Sequence, residues 1–337
     1  MLRNYFKIAI RSFIQQKYYS LINTLGLALG TAACILILLF VKDELSFEKN
    51  FASHKQIYRL VEDFPMGTHL SQSATVPFPT KNNLMNDFPE VRNAALIFRP
   101  SSWGQSPILK FNDDEYFEDN FIFAEQEFLE IYGFKFIHGD PAKALTGPNK
   151  LLLTESAAKK YFGNEDPIGK RINLSNFVDL DVVGVIEDLP ANTHLQFDMI
   201  ASFETFKSFF ANNPTFFETQ WTWVAAWMYF TVDNEQDAEK ISKGLPEFVK
   251  AHFPENLSGS GVKLRMQKAD DIHLTSHLEL EFEQNGSIQH VYLFSFIAIL
   301  ILLIAVINFM NLATARAAKR GKEVGLRKVL GAYKRCW

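Results

Sequence analysis

The stretch YYSLINTLGLALGTAACILILLFV, residues 18–41, carries no charged side chain and decides the fold class. A membrane-spanning helix needs about 20 predominantly apolar residues, so this run is long enough to cross a bilayer with some tilt. A buried helix of a soluble protein is the alternative, but uncharged runs of this length are rare in soluble cores. We therefore expect a first transmembrane helix over residues 18–41.

A cleavable signal peptide is a sharper alternative for this segment, because Thr31–Cys34 resembles a lipoprotein cleavage site. The apolar run nevertheless continues through Ile35–Val41, whereas a cleavage site would end it. The run also exceeds the roughly 7–15 residues of a signal peptide's apolar region. The sequence favours an uncleaved helix.

A second run without Lys, Arg, Asp or Glu extends from Gln284 to Ala315 and predicts a second transmembrane helix over residues 289–315. Asn308 and Asn311 lie near its end. Their amides would either hydrogen-bond a neighbouring helix or bond water at the lipid headgroups, and the sequence leaves both possibilities open.

Charge is divided between the ends and the middle of the chain. Residues 1–17 carry four basic residues and no acidic one, and residues 316–337 carry eight basic residues and one acidic one. The region between holds 22 basic and 37 acidic residues, a division that argues against nucleic acid as a partner. Because Lys and Arg are retained on the cytoplasmic side, we expect both termini in the cytoplasm and residues 42–288 outside it.

Two shorter patterns concern the membrane. Gly26 and Gly30 form a small-xxx-small pair that would let a partner helix approach closely. Residues 2–14 place apolar side chains on one helical face and three basic side chains on another. We predict that residues 1–17 form a cytoplasmic amphipathic helix on the membrane surface, the alternative being a plain basic flank.

The region 42–288 alternates strand-like and helical patterns, which favours a mixed α+β domain. The fold class expected is thus an α-helical membrane protein with an α+β extracytoplasmic domain between two transmembrane helices. Asn212–Pro214 and Ser258–Gly261 are possible joints between two subdomains. The predicted strands are Ile57–Phe64, Val91–Phe98, Lys150–Leu153, Asp179–Ile186, Trp227–Val232 and Lys263–Met266, and the predicted helices are Thr80–Phe88, the segment from Thr154 to Gly163, Phe203–Ala211 and Glu235–His252.

Several motifs resemble catalytic or ligand sites but lack an essential part. GNEDPIGK at 163–170 has five residues between its glycines and Arg171 after its lysine, so we interpret it as a turn, not a phosphate-binding loop. His273 and His277 are expected to be exposed loop residues, not metal ligands. The acidic cluster within 113–119 is expected to be a solvated face, since its spacing fits no calcium loop. We predict no catalytic, metal or cofactor site, and hence no enzyme.

The segment Phe206–Phe230 is the most aromatic part of the chain. Core packing is the default interpretation of such a segment. An exposed hydrophobic groove for an apolar substrate or a partner is the functional alternative.

Longer motifs run along nearly the whole chain. They are FKIAIRSFIQQKYYSLINTLGLALGTAACILILLFVKDELSFEKNF at 6–51, LLLTESAAKKYFGNEDPIGKRI at 151–172, VVGVIEDLPANTHLQFDMIASF at 182–203 and INFMNLATARAAKRGKEVGLRKVLGA at 307–332. With these motifs the chain resembles bacterial ABC-transporter permeases of the MacB/FtsX type. Residues 42–288 would correspond to a MacB-like periplasmic core domain, and residues 316–337 would begin the FtsX-like permease region.

The resemblance implies an inner-membrane permease that works as a homodimer or heterodimer and binds a cytoplasmic ABC ATPase. ATP-driven motion would be relayed through the helices to the periplasmic domain for efflux or export, and ATP hydrolysis would belong to the partner subunit. The basic segment after the second span would contact the ATPase or, alternatively, lipid headgroups. The contact residues expected are Glu323, Gly325, Leu326, Arg327, Lys328 and Gly331, with Gly26 and Gly30 packing helices.

Two other functions are compatible with this layout. One is a two-span extracytoplasmic sensor or binding protein without transport, although residues 316–337 are too few for an output module. The other is a membrane-anchored enzyme, which the missing catalytic set disfavours. Since permeases of this type continue with further helices, we expect these 337 residues to be either a fragment of a longer permease or a frameshifted product.

Overall fold

The computed structural model describes residues 17–66, 69–112 and 114–330. The described residues form two units, a helical unit of residues 17–45 and 288–330 and a domain over Ser46–Ser287. The amphipathic helix predicted for residues 1–17 lies, apart from its last residue, outside the described residues.

The secondary structure alternates between helices and strands along the domain. The helices are α1 Lys17–Glu44, α2 Thr80–Asp87, α3 Gln126–Tyr132, α4 Glu155–Phe162, α5 Phe203–Ser208, α6 Phe216–Thr219, α7 Glu235–His252, α8 Glu255–Ser258, α9 Ala269–Thr275 and α10 Ile288–Val329, with short 3₁₀ turns at His54–Gln56 and Pro100–Trp103. The strands are β1 Ile57–Met66, β2 His69–Ser73, β3 Val76–Pro77, β4 Asn93–Phe98, β5 Ile108–Phe111, β6 Asp114–Phe117, β7 Phe121–Ala124, β8 Phe136–His138, β9 Lys150–Thr154, β10 Arg171–Leu174, β11 Val178–Ile186, β12 Met199–Ser202, β13 Val224–Thr231 and β14 Lys263–Lys268.

Both predicted spans are helical. Thr24–Glu44 within α1 and Ile288–Asn311 within α10 are long and apolar enough to cross a membrane. The helix α10 does not end with its apolar part but continues to Val329, for 42 residues in all. The continuation is rich in Ala, Arg, Lys and Leu, which favour helix strongly enough to tolerate Gly321 and Gly325. At 1.5 Å per residue such a helix is about 63 Å long.

One sheet runs through the domain in the strand order β14-β1-β13-β4-β7-β12-β9-β11-β10-β5-β6, with β2, β3 and β8 paired at its side. The pairs β7/β12 and β9/β11 are parallel, and the other adjacent pairs are antiparallel. The first strand of the domain, β1, and its last strand, β14, are therefore neighbours at one end of the sheet. The division of the domain into two subdomains stays a prediction.

Both faces of the sheet are covered, which explains why its central strands are apolar without alternation. On β13, Met228 and Phe230 belong to a core cluster on the first face, while Trp227 and Tyr229 belong to a cluster on the second face. Because successive side chains of a strand point to opposite faces, a strand buried on both sides must be apolar throughout.

Local sequence signals fix several boundaries as predicted. Thr154 caps α4, its side chain accepting a hydrogen bond from the backbone N of Ala157 at 3.2 Å, and Gly163 ends that helix with φ +62°. Helix α7 spans Glu235–His252, as predicted. The helix predicted over Phe203–Ala211 is shorter and ends at Ser208.

Candidate functional site

The two connections between the domain and the apolar helices lead into buried polar groups. Glu48, near the start of the domain, is fully buried. Its Oε1 accepts from the backbone N of His194 at 2.6 Å and lies 2.8 Å from the Nδ1 atom of that residue, and its Oε2 accepts from Oγ1 of Thr193 at 3.1 Å. The Nε2 atom of His194 lies 2.7 Å from Oη of Tyr229. An imidazole protonated at Nδ1 donates to Glu48 and can accept from the Tyr229 hydroxyl.

The environment of Glu48 favours its ionised form. Burial raises the pKa of Glu48, but the charge and hydrogen bonds of His194 outweigh burial, and the pKa lies below its ordinary value. A carboxylate is thus retained inside the domain because the surrounding groups donate to it.

Arg59 lies in the middle of β1 and is also fully buried. Its Nη1 and Nη2 donate to the two carboxylate oxygens of Glu281 at 2.7 and 3.1 Å, and Nη2 also donates to Oε1 of Gln267 at 2.7 Å and to Oγ of Ser276 at 3.0 Å. Burial raises the pKa of Glu281, but the hydrogen bonds and charge of Arg59 outweigh it, so the pKa is lowered. Such bidentate pairs fix geometry as well as charge.

These groups form one contiguous set, because Arg59 and Tyr229 are directly opposite in the β1/β13 pair and their side chains interact. We call Glu48, His194, Tyr229, Arg59 and Glu281 the junction network. Glu48 lies four residues after the end of α1, and Glu281 lies seven residues before the start of α10. The first and the last segment of the domain therefore meet in the same buried network.

The segment that leaves the domain is held at further points. Nε1 of Trp227 donates to the carbonyl of Leu280 at 2.9 Å, and Nη1 of Arg99 donates to the carbonyl of Phe282 at 2.7 Å. The ring of Phe282 also packs against Trp227 at 5.2 Å between centroids. These contacts fix the backbone around Glu281 against the second face of the sheet.

No residue of the junction network is predicted as a site residue from the sequence. One signal was present in Arg59, which shares an inward face of β1 with Ile57 and Val61 and so had to be buried. Its partner Glu281 is 222 residues away in sequence, and no local pattern links the two.

The predicted helix-packing residues lie between the two apolar helices of the helical unit. A Cβ atom at Gly30 would lie 3.5 Å from Cβ of Ala305, and one at Gly26 would lie 3.9 Å from Nδ2 of Asn308. Sγ of Cys34 lies 3.9 Å from the carbonyl oxygen of Ala298. The glycines therefore face α10 of the same chain, and their role in helix packing stays a prediction.

The predicted ATPase-contact segment lies at the end of α10. Gly325 and Leu326 are exposed, as are the neighbouring Val329 and Leu330. Leu326, Val329 and Leu330 have the i, i+3, i+4 spacing of one helical face, so an apolar stripe is exposed on a basic helix. The side chains of Glu323, Arg327 and Lys328, and Gly331 as a whole, lie outside the described residues. The contact assignment stays a prediction.

The motif at 163–170 is a helix-to-strand turn, as predicted. It connects α4 to β10, with Gly169 at φ +78°. The prediction of exposed loop histidines holds for His277 but is wrong for His273. His273 lies in α9, is buried, and stacks on Phe47 with 3.3 Å between ring centroids. Helix α9 forms because Ala269, Ile272 and His273 together present one inward face.

The acidic cluster is only in part a solvated face. Asp114 and Glu115 are exposed, but Glu118 is buried and accepts from Oη of Tyr161 and Nζ of Lys160, both at 2.5 Å. Asp113 lies outside the described residues. Among residues 17–66, 69–112 and 114–330, no group of three or more His, Cys, Asp or Glu side chains could hold a metal ion.

The aromatic segment Phe206–Phe230 is mainly core, as its default interpretation predicted. Trp227, Tyr229 and Phe230 are fully buried, and Phe206 is nearly so. Phe209, in contrast, is 45% exposed and borders a groove. The functional alternative, a groove that binds an apolar substrate or a partner, stays a prediction.

The similarity to known proteins covers most of the domain and part of α1. A family model described as the MacB-like periplasmic core domain matches residues 20–248. No curated protein matches the chain. A solved domain of a protein described as a permease from Porphyromonas gingivalis is 23% identical, with a TM-score of 0.51, and the match covers 64% of this chain and 90% of that one.

Two further solved structures are similar over comparable lengths. The periplasmic region of MacB from Actinobacillus actinomycetemcomitans is 16% identical, with a TM-score of 0.44, over 65% of this chain and 91% of that one. The extracellular domain of the noncanonic ABC-type transporter YknZ from Gram-positive bacteria is 11% identical, with a TM-score of 0.41, over 62% of this chain and 99% of that one.

Proposed function

The chain belongs to the family of proteins with a MacB-like periplasmic core domain, and on this premise we propose that it acts as a permease subunit of an ABC transporter in the bacterial inner membrane. The domain would lie in the periplasm, and α1 and α10 would cross the membrane. The observation that carries the proposal is the junction network, in which the chain segments from both apolar helices meet inside the domain.

The work of such a subunit would be mechanical. Helix α10 is continuous from Ile288 to Val329, so its two ends move together as parts of one rod. Displacement at the cytoplasmic end would reach Glu281 through the seven residues that precede the helix. Arg59 would pass it to β1, and through Tyr229 and His194 to Glu48. The relay would serve efflux or export.

A cytoplasmic ABC ATPase would supply the motion by binding the end of α10. The exposed stripe of Leu326, Val329 and Leu330 offers apolar area, and Arg327 and Lys328 offer charge. The apolar outer faces of α1 and α10 would be covered by lipid and by a second permease copy, as a homodimer or heterodimer.

The ATPase contact is tested by co-purification from native membranes. The double charge reversal Arg327→Glu with Lys328→Glu should strongly reduce the ATPase recovered with the tagged chain, measured by quantitative mass spectrometry. A matched control reverses Lys243 and Lys250, which are exposed on α7 in the domain, and should leave recovery unchanged. Equal recovery from a chain that lacks residues 316–337 would show that the contact lies elsewhere.

Orientation is tested separately by thiol labelling in a cysteine-free background. A cysteine replacing Lys143, which is exposed in the domain, should react with an impermeant maleimide in intact spheroplasts. A cysteine replacing Lys322, exposed near the end of α10, should react only after permeabilisation. The reverse pattern would overturn the periplasmic assignment and the relay together.

A further inference from the structure

A groove of about 400 Å³ opens on the domain surface where the β10–β11 turn approaches the end of α5. Its floor is a stack of phenylalanines that also belongs to the core. Phe98 lies 4.3 Å from Phe206 between ring centroids at an interplanar angle of 16°, and Phe123 lies 5.2 Å from Phe206 at 28°. The floor is thus rigid and apolar.

The rim consists of two exposed phenylalanines whose rings are 6.3 Å apart, Phe177 and Phe209. Phe177 is 82% exposed and Phe209 45%. Both rings line the groove, next to its apolar floor. Exposed rings beside such a floor are a common feature of sites for apolar ligands.

The exposure of Phe177 follows from a well-defined turn. Ser175 and Asn176 precede it with φ of +49° and +61°, the pattern of a type I′ hairpin turn. The backbone N of Phe177 donates to the carbonyl of Leu174 at 2.8 Å, and that of Ser175 donates to the carbonyl of Ile108 at 2.7 Å. The ring is therefore held above the groove by a hydrogen-bonded turn.

None of the described side chains that line the groove is ionisable, although the domain has an excess of acidic residues. Its polar side chains are Gln105, Ser106 and Ser175. Ser106 donates to Asp119, and Oγ of Ser175 accepts from the backbone N of Ile108 at 3.1 Å, so these hydroxyls are already engaged within the domain. A charged ligand would lose its hydration here without gaining an ionic partner.

Another cleft of similar size has the opposite character. It is lined by the ion pairs Lys81–Glu125, at 2.7 Å, and Lys207–Glu204, at 2.8 Å. The contrast shows that an uncharged lining is a particular property of the groove and not of the domain surface in general.

We propose that the groove binds an uncharged apolar molecule of small-molecule size, held between the phenylalanine floor and the rings of Phe177 and Phe209. Its volume lies in the range of small-molecule sites, and its neutral aromatic lining matches an uncharged occupant. The site goes beyond the transport assignment and does not depend on an ATPase.

The test uses the full chain in lipid nanodiscs and the neutral photolabel iodophenyl-trifluoromethyl-diazirine, with labelled peptides mapped by mass spectrometry. The label should react with α1 and α10 as an internal reference. It should also react saturably with the peptides that carry Phe98 and Phe206. The double variant Phe177→Ser with Phe209→Ser should weaken the saturable labelling about tenfold while reference labelling is unchanged.

The matched control is Phe117→Ser, which removes a phenylalanine that is 72% exposed on β6 but does not line the groove, and it should have no effect. A carboxylate derivative of the same diazirine should label the groove at least several-fold less. The proposal is wrong if groove labelling is absent or unsaturable, is unchanged in the double variant, or is as strong with the carboxylate. Loss of labelling at high protein density would instead assign the groove to contact between copies of the chain, and would equally overturn it.

Discussion

Arg59 and Glu62 lie three residues apart on β1, and both are buried. They differ in whether a group of opposite charge lies beside them. Arg59 points to the second face of the sheet, where Glu281 meets it with two hydrogen bonds. Glu62 points to the first face, and its Oε2 has no hydrogen-bond partner among the described residues. Burial, with a smaller contribution from the charge of Asp63, raises the pKa of Glu62 to about 8.

The difference shows what a buried charge requires. The Arg59 pair stays ionised because a distant chain segment supplies a carboxylate in bidentate geometry. No cation in the described part of the chain pairs with Glu62, and its carboxyl group therefore keeps its proton at neutral pH. The ionic site lies where the domain joins its connections to the apolar helices, and the neutral one lies on the face of the sheet that carries the larger apolar core cluster.

The largest effect is expected from Glu281→Gln, which leaves the Arg59 guanidinium buried without its counter-charge. We expect a loss of about 3–5 kcal/mol in the free energy of unfolding of the domain. The measurement is urea unfolding of the full chain in micelles, followed by tryptophan fluorescence.

The control for this variant is Asp233→Asn, which breaks the exposed ion pair between Asp233 and Arg92. Because solvent-exposed pairs contribute little, no measurable change is expected. If both variants lowered stability equally, burial would not be what distinguishes the junction network from surface pairs.

The second effect has the opposite sign. The pKa of Glu62 is about 8 in the folded state and 4.5 in its ordinary state, so the folded chain binds this proton more tightly and stability falls as pH rises between those values. Glu62→Gln removes that loss and should stabilise the domain by about 3 kcal/mol at pH 7. Urea unfolding should show almost no gain at pH 4 and a full gain above pH 8, whereas a gain independent of pH would contradict the assignment.

The contrast between Arg59 and Glu62 also shows which features of the fold a local sequence pattern can predict. Helices and strands with a strong local signal were predicted well, such as α4 between Thr154 and Gly163, because a cap and a stop define them locally. Short strands such as β5, β7 and β12 were missed because four apolar residues carry no distinctive period. Their pairing with distant strands fixes them in the sheet.

The candidate sites also differ in whether a local sequence pattern could reveal them. The turn at 163–170 could be recognised because Gly163, Pro167 and Gly169 lie close together in sequence. The junction network could not, because its members come from five separate segments of the chain. The burial of His273 also depends on a distant residue, Phe47, which no local pattern indicates.

The smallest effect tests whether the two halves of the junction network, Glu48–His194 and Arg59–Glu281, are energetically coupled. Tyr229→Phe keeps the ring that packs against Tyr132 but removes the hydroxyl between His194 and Arg59. Leaving buried polar groups without a partner should cost about 2 kcal/mol in urea unfolding. Tyr58→Phe, on the neighbouring strand β1, is the matched control. It should leave the free energy of unfolding unchanged, because the Tyr58 hydroxyl forms no hydrogen bond within the described part of the chain.

Hydrogen exchange then separates a relay from plain loss of stability. If the network is continuous, Tyr229→Phe should raise exchange both in the segment around Glu48 and in the segment around Glu281, and the double variant with Glu281→Gln should lose less than the sum of the two single losses. Additive losses, with exchange raised only around Glu48, would mean that Glu48–His194 and Arg59–Glu281 are two independent buried pairs. The first and last segments of the domain would then be fixed separately, and the sheet alone would have to connect them.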